Sequence, residues 1–279
     1  MKLAKIEAGN FYCDGGAVFG VVPKKVWQKR YPCNDENFCL LATRCLLLDT
    51  GSRLILIDTG AGNKQPDYLK FYGFGELVDF EQALRTFGYT AAAVTDVVHT
   101  HLHFDHCGGA TRFDAQGRLE LIFPNAEHWL SEAQWENLLC PNVREGDALF
   151  PENILPVEQA GKLRLIREDT RLCPEVELRL FGGHSPGQIV PYVSLPGGKT
   201  LVYVGDVIPL LASIPIAWVS AYDSLPALSM EEKVRMLEEA VSEGQILFFE
   251  HDAYNECCTV KKQAEKYLVD KVFRLEELL

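Results

Sequence analysis

The stretch Val97-Val98-His99-Thr100-His101-Leu102-His103-Phe104-Asp105-His106-Cys107-Gly108-Gly109 limits what this chain can be more than any other. His101, His103, Asp105 and His106 each offer a lone pair to a metal, and they follow an apolar run directly. Side chains alternate faces in extended backbone, so His101 and His103 point the same way and can grip one ion, while Asp105 and His106 in the turn that follows can reach a second. Imidazole with a hard carboxylate favours Zn²⁺, with Fe or Mn as alternatives. A His-rich surface loop is the plain alternative, but these positions take three of the chain's seven histidines and add an aspartate. His99 is expected to be buried or to support a ligand, because three imidazoles in a row would crowd one ion. Cys107 is expected to be a small buried thiol beneath the site.

Such a site needs a rigid frame, and 279 residues at 47% hydrophobic content can bury a large core. The 39 acidic against 27 basic residues leave a formal charge of −12, which disfavours nucleic acid as a partner. Residues 1–7 hold no signal-like apolar run, and no window approaches the roughly 18 apolar residues of a membrane span. A cytoplasmic protein with no membrane partner is expected. The nine cysteines are scattered and include the adjacent pair Cys257-Cys258, which suits reduced thiols.

Residues 1–40 hold short apolar pieces broken by Gly15-Gly16, Pro23 and Pro32, and are expected to form an extension over the core or an edge hairpin. Residues 43–49 and 53–58 are strand-like around Thr50-Gly51-Ser52, a hairpin signature. Asp58 closes the second run, where it can orient a ligand histidine or bond its own turn. Residues 80–87 have helical spacing, residues 95–99 read as the strand delivering the motif, and residues 119–123 as another strand. His128 is expected to be structural or exposed, and Ser131 to cap a helix through Trp135 to Leu139. Residues 140–160 are a long polar excursion of the kind that shapes a pocket.

The second half repeats one pattern. Residues 176–181, 201–206 and 245–249 are strand-like, and at or just after their ends stand His184, Asp206 and His251. An antiparallel hairpin through Pro196-Gly197-Gly198 separates the first two, and residues 230–240 read as a helix capped by Ser229. Ligands at strand ends are how an α/β chain gathers distant residues into one site. The set divides naturally: His101, His103 and His184 on one ion, Asp105, His106 and His251 on the other, Asp206 bridging.

In order, spacing and strand context, these residues resemble the metallo-β-lactamase superfamily, with its HxHxDH motif at His101, His103, Asp105 and His106, then His184, Asp206 and His251. Residues 100–109, Phe123-Pro124-Asn125-Ala126, Phe249-Glu250-His251-Asp252 and residues 14–24 further resemble its branch of N-acyl-homoserine lactonases and methyl-parathion-hydrolase-like enzymes. The resemblance implies an α+β fold, a four-layer αββα sandwich of two mixed β-sheets with helices on the outer faces. It implies a single domain over residues 1–279, with residues 1–40 packing on it as an extension. It also implies two Zn ions, a small-molecule substrate, and a monomer or homodimer.

The chemistry expected is hydrolysis of a lactone or related ester by a hydroxide shared between the ions, with Asp105 steering it and returning a proton to the leaving group. Phosphotriesters, or thioesters of the glyoxalase II kind, are alternative substrates, and a metal-dependent redox or binding protein is the alternative class. Some lactonases carry a Tyr where Pro209 stands here, and Tyr222 is the candidate replacement. Gln188 stands where relatives often have a second His. Phe104, Trp27 and Phe150 are candidates for an apolar wall, with ordinary core packing the competing role.

Overall fold

The structure, a computed structural model, describes residues 1–278. Its packing groups residues 1–11 with 43–168 in one compact unit, and residues 12–42 with the chain from Asp169 onward in another. The class is α+β, as expected: each unit is built on a mixed sheet carrying helices.

The first unit holds β1 (Lys2–Asp14), β2 (Phe38–Asp49), β3 (Leu54–Ile57), β4 (Asp96–Val98), β5 (Thr111–Phe113), β6 (Leu119–Leu121), β7 (Glu127–Ser131) and β8 (Leu163–Ile166), with the ends of β1 and β2 running on into the other unit. Its sheet has the order β1-β2-β3-β4-β7-β8, while β5 and β6 form a separate hairpin. β2 and β3 are antiparallel through the expected turn, and β3, β4, β7 and β8 are parallel. Parallel neighbours end on the same side, so the segments leaving β3, β4 and β7 emerge together. Helix Phe80–Thr86 is capped by the Asp79 carboxylate, which accepts the Glu81 and Gln82 amides, and its Phe80 and Leu84 pack with Leu54, Leu56, Val97 and Phe123.

The second unit holds β9 (Thr170–Cys173), β10 (Val176–Phe181), β11 (Gln188–Ser194), β12 (Thr200–Tyr203), β13 (Ile246–Phe248), β14 (Cys257–Gln263) and β15 (Lys266–Phe273) in the order β15-β14-β13-β12-β11-β10-β9. Among the described residues, β12 and β13 are the one parallel pair within it. The hairpin through residues 196–198 joins β11 to β12 as expected. Met236, Leu237 and Ala240, on one face of helix Pro226–Glu243, cover Val190, Val202, Leu247 and Cys258.

Several boundaries differ from the sequence-based expectation: β2 begins at Phe38 rather than residue 43, the strands expected at 53–58, 119–123 and 245–249 are shorter, and three differences bear on the site. The motif strand is only Asp96–Val98, so His99 to His103 run as loop beyond its end, and Asp105 and His106 lie in a helical turn, Phe104–Cys107. Asp206 lies past the end of β12 in a 3₁₀ turn, Gly205–Val207. The long helix starts one turn before residue 230, because Pro226 suits the first helical position and Ser229 is buried inside the helix rather than capping it. Gly183 passes so close to Ser229 that a Cβ there would overlap it.

Candidate metal centre

In the first unit the donors follow from how Leu102 is held. Its side chain packs against Leu130, Leu138 and Leu149, and its amide donates to Gln134 Oε1 at 3.0 Å. With Leu102 anchored in the core, the flanking histidines turn the other way. His101 Nε2 and His103 Nδ1 come to 2.9 Å, their rings at 77°. Asp105 Oδ2 lies 3.9 Å from His106 Nε2.

Asp58 stands behind these donors. Its backbone is left-handed, with φ 57°, a conformation Asp tolerates at a turn. Its carboxylate accepts the Thr100 amide and the Thr100 hydroxyl, each at 2.7 Å, and lies 3.1 Å from His106 Nδ1. The Thr100 hydroxyl is also 3.0 Å from His101 Nδ1. Asp58 thus touches His106 directly and reaches His101 through Thr100, while its left-handed backbone also forms the turn.

In the second unit the C-terminal ends of β10, β12 and β13 point the same way and lead to His184, Asp206 and His251. Asp206 takes one histidine on each oxygen: Oδ2 is 3.1 Å from His184 Nε2 and Oδ1 is 3.1 Å from His251 Nε2. The outer nitrogens are spoken for as well. His184 Nδ1 is 2.9 Å from Asp223 Oδ1, and His251 Nδ1 is 2.7 Å from the Ala42 carbonyl oxygen.

These donors fit a metal ion. Two ligands about 2.0–2.1 Å from a tetrahedral ion stand roughly 3.3 Å apart, and the N–N and N–O separations here are close to that edge. Each outer nitrogen faces an acceptor that leaves the inner one as the lone pair, the arrangement a ligand histidine needs. Burial pulls the His184 pKa down, but Asp206 and Asp223 outweigh it and raise it to about 10. Carboxylates that favour a proton there favour a cation at the same nitrogen.

Other residues singled out from the sequence fall as follows. His99 and His128 are a buried stacked pair, and Cys107 is a buried thiol whose pKa burial pushes up to about 12. All nine cysteines are free thiols. Phe104 and Phe150 meet Tyr68 in an aromatic cluster, with ring centroids 4.9 and 5.2 Å from it. Trp27 stacks on Phe19 in the core of its own unit, so packing is its role there. Tyr222 is 40% exposed, its Oη 3.2 Å from Cys13 Sγ, and Gln188 is buried. Asp223 had no sequence signal that set it apart from other loop aspartates.

Comparison with known proteins supplies a frame. A family model described as the metallo-beta-lactamase superfamily matches residues 40–251. The chain is 26% identical over 238 residues to an N-acyl homoserine lactonase of Bacillus cereus, covering 79% of this chain and 85% of that protein. A solved structure described as a probable metal-dependent hydrolase from Staphylococcus aureus matches 98% of both chains at 29% identity and TM-score 0.86. A dizinc quorum-quenching lactonase in complex with a product matches 98% of this chain and 95% of its own at 20% identity and TM-score 0.79.

Proposed function

The chain belongs to the metallo-beta-lactamase superfamily, and from that membership we propose that this metal-dependent hydrolase opens lactones or related esters using a pair of zinc ions. In this reading His101, His103 and His184 would hold one ion and Asp105, His106 and His251 the other, with Asp206 serving both. Residues 1–279 then act as one domain, with a small molecule as the substrate. The observation that carries the substrate class is the sequence likeness to N-acyl homoserine lactonases, 26% identical across 85% of one such enzyme.

When bound, such ions supply an activated water and polarise the substrate carbonyl. The chain's own residues do the rest. Asp105, almost wholly buried beside His106, orients the nucleophile and carries its proton to the alkoxide that leaves when the ring opens. Asp58, Asp223 and the Ala42 carbonyl hold ligand imidazoles in one tautomer, so the site is organised before substrate arrives.

The test is metal content per chain on protein purified without chelator, with the same sample assayed on lactones, aryl esters, thioesters and phosphotriesters. Two zinc equivalents, and lactone turnover lost in His106→Ala, are expected. Turnover of thioesters or phosphotriesters alone would replace the substrate class, and fewer than one metal per chain after reconstitution would sink the dinuclear assignment.

A further inference from the structure

Residues 141–144 are exposed, yet the next residue, Glu145, is 2% exposed. Taking a carboxylate out of water costs several kcal/mol unless hydrogen bonds and charge replace its hydration. Asn137 Nδ2 donates to Glu145 Oε2 at 2.8 Å, and Asn142 Nδ2 donates to Oε1 at 2.9 Å. Asn142 Oδ1 also accepts the Glu145 amide at 3.1 Å, so one side chain clasps this residue at both ends. The loop is built to hold a carboxylate in place.

What that carboxylate faces is His103, whose Nε2 lies 3.5 Å from Glu145 Oε2. That is an ion-pair separation longer than a hydrogen bond, across which the carboxylate acts on the ring by its charge. The same loop meets the same residue through its backbone, where Leu149 and His103 form an isolated antiparallel bridge. The other ring nitrogen, Nδ1, is the one 2.9 Å from His101 Nε2. One nitrogen of His103 therefore faces a carboxylate and the other faces a neighbouring donor.

The geometry points to Glu145 as the positioning residue for His103: it draws the ring proton to Nε2 and leaves Nδ1 as the lone pair presented to the metal. This rests on the reading of His103 as a ligand. A neutral imidazole has one N–H and one lone pair, and the acceptor that meets one nitrogen decides which atom keeps the lone pair. Asp58, Asp223 and the Ala42 carbonyl stand in the same relation to His106, His184 and His251. Glu145 serves His103 from the 140–160 excursion, which ties that loop to metal binding.

The experiment uses the full-length chain as wild type, Glu145→Ala, Glu145→Gln and His103→Ala. Zinc affinity is measured by competition with a chromophoric chelator, the unfolding temperature of the zinc-free protein by calorimetry, and the His103 tautomer by imidazole ¹⁵N shifts. In Glu145→Ala, one of two zinc equivalents should weaken by about 10–100-fold with the other unchanged. The zinc-free unfolding temperature should fall by a few degrees, because Asn137 and Asn142 lose their acceptor. Weakening of one equivalent rather than both is therefore the readout that separates positioning from general destabilisation, and the His103 proton should spread over both nitrogens. Glu145→Gln keeps an acceptor oxygen and should recover part of the affinity. Unchanged zinc affinity in Glu145→Ala, or equal weakening of both equivalents, would overturn the role. If His103→Ala still holds both equivalents, the ligand assignment falls and this inference with it. If His103→Ala loses one and Glu145→Ala loses none, the inference alone fails.

Discussion

Two imidazole pairs start from the motif segment, one of them completed by His128 of β7, and distance does not tell them apart. His99 Nε2 is 3.0 Å from His128 Nδ1, and His101 Nε2 is 2.9 Å from His103 Nδ1. The first pair is stacked, rings 17° apart and sealed from solvent, and the charge His128 feels is the cation of Lys162. Burial pushes His128 down to about 4 and His99 well below its usual value, so both stay neutral. The second pair meets at 77°, with Glu145 beside His103 and the Thr100 hydroxyl linking His101 to Asp58. Imidazoles in contact do not make a metal site. What sets the second pair apart is an acceptor at each outer nitrogen: the Thr100 hydroxyl, itself bonded to Asp58, at His101, and the Glu145 carboxylate near His103.

The largest effect that would test this distinction is on metal content. His101→Ala should lose one zinc equivalent and reduce turnover by about 10²–10³-fold or more, while His128→Ala should keep both equivalents. Elemental analysis of the two variants decides it, and metal loss from the His128 variant would abolish the contrast.

Stability should respond in the opposite order. Truncating His128 opens a cavity and strands its buried partner, so zinc-free His128→Ala should lose roughly 1–3 kcal/mol in urea unfolding, with a smaller change for zinc-free His101→Ala. Equal losses would show that the second pair is also a packing element.

The smallest effect is a slope. Unfolded imidazole titrates near 6.5, whereas folded His128 takes its proton only near 4. Between those values the unfolded chain binds more protons, so this residue makes stability fall as pH drops from 6.5 to 4, by up to about 1.4 kcal/mol per pH unit. His128→Phe in zinc-free protein should flatten the stability profile over that window. An unchanged profile would mean that His128 is protonated in the fold.

Much of the frame was legible in the sequence because its signals are local. Alternating apolar residues marked β10, and the turn residues around Gly51 and Gly197 marked two hairpins. Helix Phe80–Thr86 and the Ser131 cap were legible for the same reason, since spacing and capping involve near neighbours. Boundaries read less well. The motif strand stops at Val98 because the chain leaves the sheet there to enter the Phe104–Cys107 turn, and helix Pro226–Glu243 gains a turn that Pro226 permits but does not announce.

The sequence by itself determined which atoms can bind metal: the spacing of His101, His103, Asp105 and His106, and three later donors placed after strand-like runs. What only the tertiary structure decided is which nitrogen each histidine presents. His106 takes its acceptor from 48 residues away, His184 from 39, and His251 from 209. Glu145 stood in sequence as one polar residue among many in a loop. Side-chain periodicity is set by backbone geometry a few residues long, but an acceptor is chosen by which segments packing brings together, and no local pattern records that choice.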